Sequence, residues 1–290
     1  MSCVNITGNS GRYNPSCPVH TTLFVFRCIF ELVSGKTAGG AISVSGGNVL
    51  YLSVAYSFFA NCSAPTAGCI YAAGISNGAF AYNCFLFDFV TSGQMTTVQT
   101  SGEATTVVNF GFNSISKCPN NCEGIYYVAQ FENGKIELKN SNCSHCKLSQ
   151  HTVYHFMDIN FLCSFNTVAE NGAGVIHRIV GNTGFFNYSN FVSNFIIGTQ
   201  WTFSHDFSSA TALYFRCVFV NNPFKTFSYG GKSTRSESSV FNCAFLSNNV
   251  PNTPTEIFIN PYICGLFPKT QSRSYQKTLK FHFILFLAQH

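Results

Sequence analysis

Charge is scarce in this sequence: 9% of its 290 residues are Asp, Glu, Lys or Arg, and only 11 of those are acidic. That scarcity bears on catalysis, because enzymes that cut polysaccharides need carboxylates gathered as general acid and base or as calcium ligands. The acids here are Glu31, Asp88, Glu103, Glu123, Glu132, Glu137, Asp158, Glu170, Asp206, Glu237 and Glu256. Glu132 and Asp158 stand close to one repeat apart, Glu237 and Glu256 stand closer than that, and no three acids share a position within the repeat described below. His205-Asp206 has no further acid near it. Scattered, solvated carboxylates are the expectation, with no catalytic, cofactor or metal residue assigned. The formal charge of +5 sits largely in Lys269, Arg273, Lys277 and Lys280, beyond the last acid. The near-neutral body argues against a nucleic-acid surface.

Helical spacing is also missing. Apolar residues alternate or come in short runs broken by Gly, Asn and Ser, which is strand patterning. No run approaches the twenty or so residues of a membrane-spanning helix. Residues 1–20 contain neither the basic start nor the apolar run of a signal peptide. The chain is therefore expected either not to be secreted by that route or to begin inside a longer protein. What is present is apolar and aromatic: 46% hydrophobic residues, with 32 Phe.

The segment Leu213 to Asn222, Leu-Tyr-Phe-Arg-Cys-Val-Phe-Val-Asn-Asn, recurs along the chain. With its second Phe as anchor, copies fall at Phe30, Phe58, Leu86, Phe112, Asn142, Phe165, Phe191, Phe219 and Phe245. The period is roughly 27 residues, a size that is the signature of a solenoid. Positions six, four and two before the anchor are mostly apolar, and alternation places them with the anchor on one buried strand face. The intervening position at minus three is more polar, as at Arg27, Asn83, Asn109, Lys139, Arg216 and Asn242. Five residues at minus two are cysteine: Cys28, Cys84, Cys163, Cys217 and Cys243. At plus three, Asn61, Asn194, Asn222 and Asn248 suggest an asparagine corner whose amides bond from coil to coil. Gly40 and Gly68, one period apart, mark tight turns into a second strand, and Gly124 and Gly174 are looser copies.

One repeat per coil, with each strand pairing to its own copy in the next, is a parallel β-helix. The expectation is an all-β, right-handed parallel β-helix of about nine coils, roughly 40 Å long from the spacing between strands. It divides into residues 1–23 as an N-terminal segment or incomplete first coil, 24–260 as repeats, and 261–290 as a basic, then apolar, tail. The apolar run Phe281 to Ala288 would be a cap over the last coil, the opening of a truncated membrane segment, or a non-native end, with capping preferred.

Gly39-Gly40-Ala41-Ile42, with Phe-x-x-Asn at Phe58–Asn61, Phe191–Asn194, Phe219–Asn222 and Phe245–Asn248, resembles the paired GGA(I/L/V) and FxxN repeats of polymorphic outer membrane proteins. It also resembles the wider pectin-lyase-like, right-handed β-helix proteins. The resemblance covers about Phe24 to Asn260. It implies a surface-exposed or secreted rod for adhesion to a protein or glycan. Membrane association would come only through a missing or truncated C-terminal segment. A carbohydrate-active enzyme is the competing expectation.

Several smaller features complete the reading. Cys118-x3-Cys122 and Cys143-x2-Cys146, with His145 alongside, approach structural-zinc spacing. Zinc, a disulfide and plain buried thiols all remain open there, and the minus-two cysteines read as buried free thiols. Sequons occur at Asn5, Asn61, Asn142 and Asn187, with Asn61 expected to be buried. Phe186, Tyr188 and Tyr214 alternate with the core face and are candidates for an exposed aromatic strip, although a covering loop is preferred.

Overall fold

The computed structural model describes residues 3–9, 21–45, 49–86, 89–90, 94–101, 106–118, 120–122, 127–148, 152–181, 183–196, 203–206, 211–222, 227–230, 237–241 and 244–246. Every strand among them pairs in parallel with its counterpart from the neighbouring repeat, and no helix occurs. The fold is an all-β parallel solenoid.

Each coil runs along four faces. The first wall holds strands such as Val49–Ala55, Asn77–Ala81, Val107–Gly111 and Lys135–Lys139. The second holds three-residue strands such as Phe58–Ala60, Cys84–Leu86 and Asn190–Val192. The third is shorter still, and the fourth is an eight-stranded sheet that includes Ile70–Ile75, Tyr127–Glu132 and Val175–Val180. The third wall forms as a two-stranded and a four-stranded sheet, so among the described residues about six turns carry a strand on all four faces, fewer than the nine coils expected from the repeat count.

The register corrects the alignment of the repeats. The second-wall ladder runs Phe30, Phe59, Phe85, Ile115, Cys143, Val168, Phe191, Phe219 and Phe245. Phe30, Phe191, Phe219 and Phe245 are thus true anchors. Phe58, Leu86 and Asn142 are off by one position, and Phe112 and Phe165 by three. Phe30 stacks on Phe59 at 5.0 Å, Phe59 on Phe85 at 4.8 Å, and Phe191 on Phe219 at 5.0 Å. Burying each such ring stabilises the fold by about 1.5–3 kcal/mol.

The alternation fails for a specific reason. At minus three from the corrected anchor stand Arg27, Tyr56, Tyr82, Phe112, Asn140, Phe165, Tyr188 and Arg216, all left-handed with φ between 48° and 58°. One left-handed residue turns the chain through a corner and shifts the parity of the side chains. The buried positions are therefore minus seven and minus five before the corner, and minus two and zero after it. The minus-five column reads Val25, Val54, Phe80, Phe110, Leu138, Cys163, Phe186 and Tyr214, all buried. A second left-handed corner follows at plus two, in Leu32, Asn61, Lys117, His145, Glu170, Ser193 and Asn221. The corner N–H groups remain paired to carbonyls of the next coil, as in Tyr56 N to Ala81 O at 3.0 Å and His145 N to Ala169 O at 3.2 Å.

Each corner has an inward polar residue just after it. At minus two, Cys28, Ser57, Asn83, Asn113, Ser141 and Asn166 each donate their backbone N–H to the side-chain oxygen one coil on, at 2.9–3.4 Å. At plus three, the N–H of Cys118 donates to Cys146 Sγ at 3.4 Å, Cys146 to Asn171 at 2.9 Å, and Asn171 and Asn194 to the next Asn at 3.2 Å. The amides of Asn171, Asn194 and Asn222 also donate backwards to the carbonyls of Cys143, Val168 and Phe191. The expected asparagine corner exists, but Asn61 is outside it. Asn61 is the exposed left-handed residue, and Cys62 takes the inward place. Asn83, expected to be exposed, is buried.

The glycine turns keep their spacing. The Gly40 N–H donates to Gly68 O at 3.0 Å, and a Cβ on Gly40 would fall 2.1 Å from that oxygen, so only glycine admits this approach.

Candidate functional site

The backbone needs a left-handed residue at each first corner but makes no demand on what projects outward from it. Outward from this corner stands a column of rings. Tyr56 stacks on Tyr82 at 4.7 Å, and Tyr82 on Phe112 at 4.8 Å, with planes 8° apart in both pairs. After Asn140 the column resumes with Phe165 on Tyr188 at 5.1 Å and 10°. Both ends carry guanidinium groups. Arg27 lies over Phe26, whose ring meets Tyr56 edge-on, and Arg216 lies 5.6 Å from the Tyr188 ring and donates to its hydroxyl at 3.2 Å. Tyr56, Phe112 and Phe165 are 42%, 38% and 42% exposed.

This ridge overturns the expectations for four residues. Phe112 and Phe165 are exposed corner residues rather than buried anchors. Phe186 and Tyr214, expected as exposed aromatics, lie in the core at 3% and 0% exposure, and only Tyr188 faces outward. The parity shift accounts for all of these. A usable signal was present: aligned on a corner residue, then Ser, Asn or Cys, then any residue, then the anchor, the copies Tyr-Ser-Phe-Phe, Tyr-Asn-Cys-Phe, Phe-Asn-Ser-Ile, Phe-Asn-Thr-Val and Tyr-Ser-Asn-Phe put every ring in one column.

Beside the ridge, the outward face of the first wall carries Ala55, Ala81 and Gly111 in successive coils, then Lys139. Lys139 and Lys135 both hold the Glu137 carboxylate, at 2.7 and 2.9 Å, and these two contacts keep that carboxyl below its usual range.

The cysteines divide by position. Cys28 and Cys217 keep the inward minus-two place and Cys163 lies in the minus-five column, all three as buried thiols. Cys84 departs from the free-thiol expectation: it sits one position before the anchor and is disulfide-bonded. Cys243 has its side chain outside the described residues. Cys118, Cys143 and Cys146 are buried thiols, with Cys143 and Cys146 Sγ 3.8 Å apart. Burial pushes the Cys143 thiol well up, which opposes the thiolate that metal binding requires. The Cys122 side chain lies outside the described residues, and among those described no group of three metal-binding side chains converges. Cys118 and Cys146 are accounted for as the thiol section of the second inner ladder.

Glu132 and Asp158 do come together. Glu132 ends a strand of the fourth wall and Asp158 follows the paired strand of the next coil. Burial first, and Asp158 second, raise the Glu132 carboxyl above its usual range. The His145–Glu170 pair, 2.6 Å apart, is exposed at the second corner, and His177 shares a hydrogen bond with Tyr214 inside the core. Of the sequons, Asn61 is exposed, contrary to expectation, Asn142 is buried, Asn187 is half-buried, and the Asn5 side chain lies outside the described residues. Residues 247–290, including the expected cap, also lie outside them. No helix among the described residues is long and apolar enough to cross a membrane.

Compared with known proteins, the chain matches no family model, no curated protein and no solved structure. Its affinity to a β-helix architecture therefore rests on the solenoid itself.

Proposed function

We propose that this protein is a non-enzymatic β-helix rod of the polymorphic-outer-membrane-protein or pectin-lyase-like kind, presenting its walls at a cell surface or outside the cell for attachment to a protein or glycan. The observation that carries this reading is the ridge from Arg27 to Arg216, where aromatic side chains are held in solvent at corners whose backbone does not require them. Exposed apolar surface gathered in this way is typical of interaction sites. The test is binding of the full chain to arrays of glycans and of purified surface and matrix proteins, with Tyr82→Ser/Phe112→Ser as comparison. Retention on at least one ligand, lost in the variant, supports the reading; unchanged retention in the variant removes its basis.

The Glu132–Asp158 pair favours a second reading, a carbohydrate-active enzyme, since a carboxyl with a raised pKa beside a second acid is the arrangement of a general acid. Incubation with pectins, alginate and host-type glycans would release products that Glu132→Gln does not. The same residue has a stability signature. With its folded pKa raised, the contribution of Glu132 is full below the unfolded pKa and is lost as pH rises through the folded value. The stability advantage of Glu132→Gln over the parent should therefore grow as pH rises from the ordinary carboxylate range toward neutrality, read as melting temperature.

A further inference from the structure

The way the ridge rings are stacked restricts what can bind there. Their faces are turned toward one another at 4.7–5.1 Å, so what they present to solvent is mainly their edges. A pyranose ring packs on an aromatic face, and within each of the two runs, Tyr56 to Phe112 and Phe165 to Tyr188, the neighbouring ring occupies that face. An aromatic edge is the positive rim of the ring quadrupole and attracts electron-rich oxygen. The charges on the ridge and on the adjoining first-wall column agree with that sign: among the described residues they are Arg27, Lys139 and Arg216, with no acid. Glu137, one outward position further along the wall, pairs with both Lys135 and Lys139, and the two lysines exceed that one carboxylate by a positive charge. Ala55, Ala81 and Gly111 leave the adjoining wall low, so a chain lying beside the rings meets little obstruction.

We propose that the ridge binds an extended, acidic polypeptide segment that also carries aliphatic or aromatic side chains, laid parallel to the solenoid axis. Its carboxylates and carbonyl oxygens meet the ring edges, Arg27, Lys139 and Arg216, and its apolar side chains cover Tyr56, Phe112 and Phe165. The apolar half of this requirement distinguishes a polypeptide from an acidic glycan, which has no such side chains. From Arg27 to Arg216 the ridge rises roughly 34 Å at the spacing of paired strands. An extended peptide of about ten residues covers that length. The proposal rests on the binding reading above and names its partner class.

The experiment uses the full chain and a random copolymer of glutamate and tyrosine, with polyglutamate, a lysine–tyrosine copolymer and polygalacturonate as comparisons, followed by biolayer interferometry. The expected result is binding of the glutamate–tyrosine copolymer about tenfold tighter than polyglutamate, weakened by salt, with about tenfold loss in Arg27→Ala/Lys139→Ala/Arg216→Ala. Those three substitutions are at the surface, and an unchanged melting curve shows that the fold persists. Separate loss in Tyr82→Ser/Phe112→Ser assigns the apolar share. Equal affinity of parent and triple variant, absence of copolymer binding, or preference for the lysine copolymer overturns the proposal. Ridge-dependent binding of polygalacturonate without the copolymer overturns it too but leaves the rod's binding role standing, whereas release of products from polygalacturonate overturns that role as well.

Discussion

The two left-handed corners of each coil use the same backbone device and carry opposite exteriors. First-corner residues have φ of 48–58° and second-corner residues 49–58°. Inside, both place a hydrogen-bonding side chain where it accepts the N–H of the preceding coil. Outside, the first corner is filled by aromatic rings, with arginine at the two ends of the column and Asn140 as the single interruption among the described positions. The second has Leu32, Asn61, Lys117, His145, Glu170, Ser193 and Asn221, with no common chemistry. Since the same turn is made equally well with mixed residues, the fold does not account for the rings. Left-handed φ is unfavourable for bulky side chains and easiest for Gly and Asn. Aromatic rings are thus kept at the first corner against local preference.

The contrast can be tested from inside outward. The largest effect is expected for Asn194→Ala, which leaves the amide and N–H of Asn171, the Val168 carbonyl and the Asn222 amide short of partners in the second inner ladder. Unfolding by denaturant should show a loss of about 3 kcal/mol or more. Cys146→Asn comes next. It converts part of the thiol section into amide and should stabilise by about 1 kcal/mol, whereas Cys146→Ala, which strips the acceptor from the Cys118 N–H, should destabilise. A loss in Cys146→Asn larger than in Cys146→Ala would mean that room, not hydrogen bonding, chooses cysteine there.

Asn140→Tyr would join the two runs of rings between Phe112 and Phe165. Tyr56, Tyr82 and Tyr188 already adopt this conformation, but the two stacks gained are set against the loss of an easier left-handed residue, so thermal unfolding should show a gain of at most about 1 kcal/mol. The smallest stability change is expected for Tyr82→Asn, where two lost stacks are offset by an easier left-handed residue, leaving a net change below about 1 kcal/mol. If binding falls sharply while stability barely moves, the two exteriors differ in function. A large loss of stability would instead make the ridge a structural element like the inner ladders.

The solenoid was legible because residues one coil apart share an environment, which repeats as a period even where individual residues vary. Phe191, Phe219 and Phe245 fall where the period puts them, and so do Gly40 and Gly68. The ridge was not legible from alternation, because strand periodicity assumes extended backbone and a single left-handed residue inverts inside and outside beyond it. That inversion is why Phe112 and Phe165 read as core, and why Phe186 and Tyr214 read as surface. The inner polar ladders were half visible: Asn194 and Asn222 share one column, but Ser, Asn and Cys substitute for one another as acceptors, so no single residue type marks the place. The Glu132–Asp158 pair could be read as a spacing, yet its environment depends on burial that no spacing reveals.

From the buried position at minus seven to the inward position at plus three, the coils anchored on Phe30, Phe59, Ile115, Cys143, Val168, Phe191 and Phe219 keep the same count, although successive anchors are unevenly spaced along the chain. Among these coils, variation in repeat length is therefore absorbed away from the aromatic edge. Insertions and deletions during descent would alter the opposite side of the rod while this side stayed straight and evenly graduated, so that lineages could lengthen the molecule or elaborate its back without disturbing the spacing offered to whatever lies along its front.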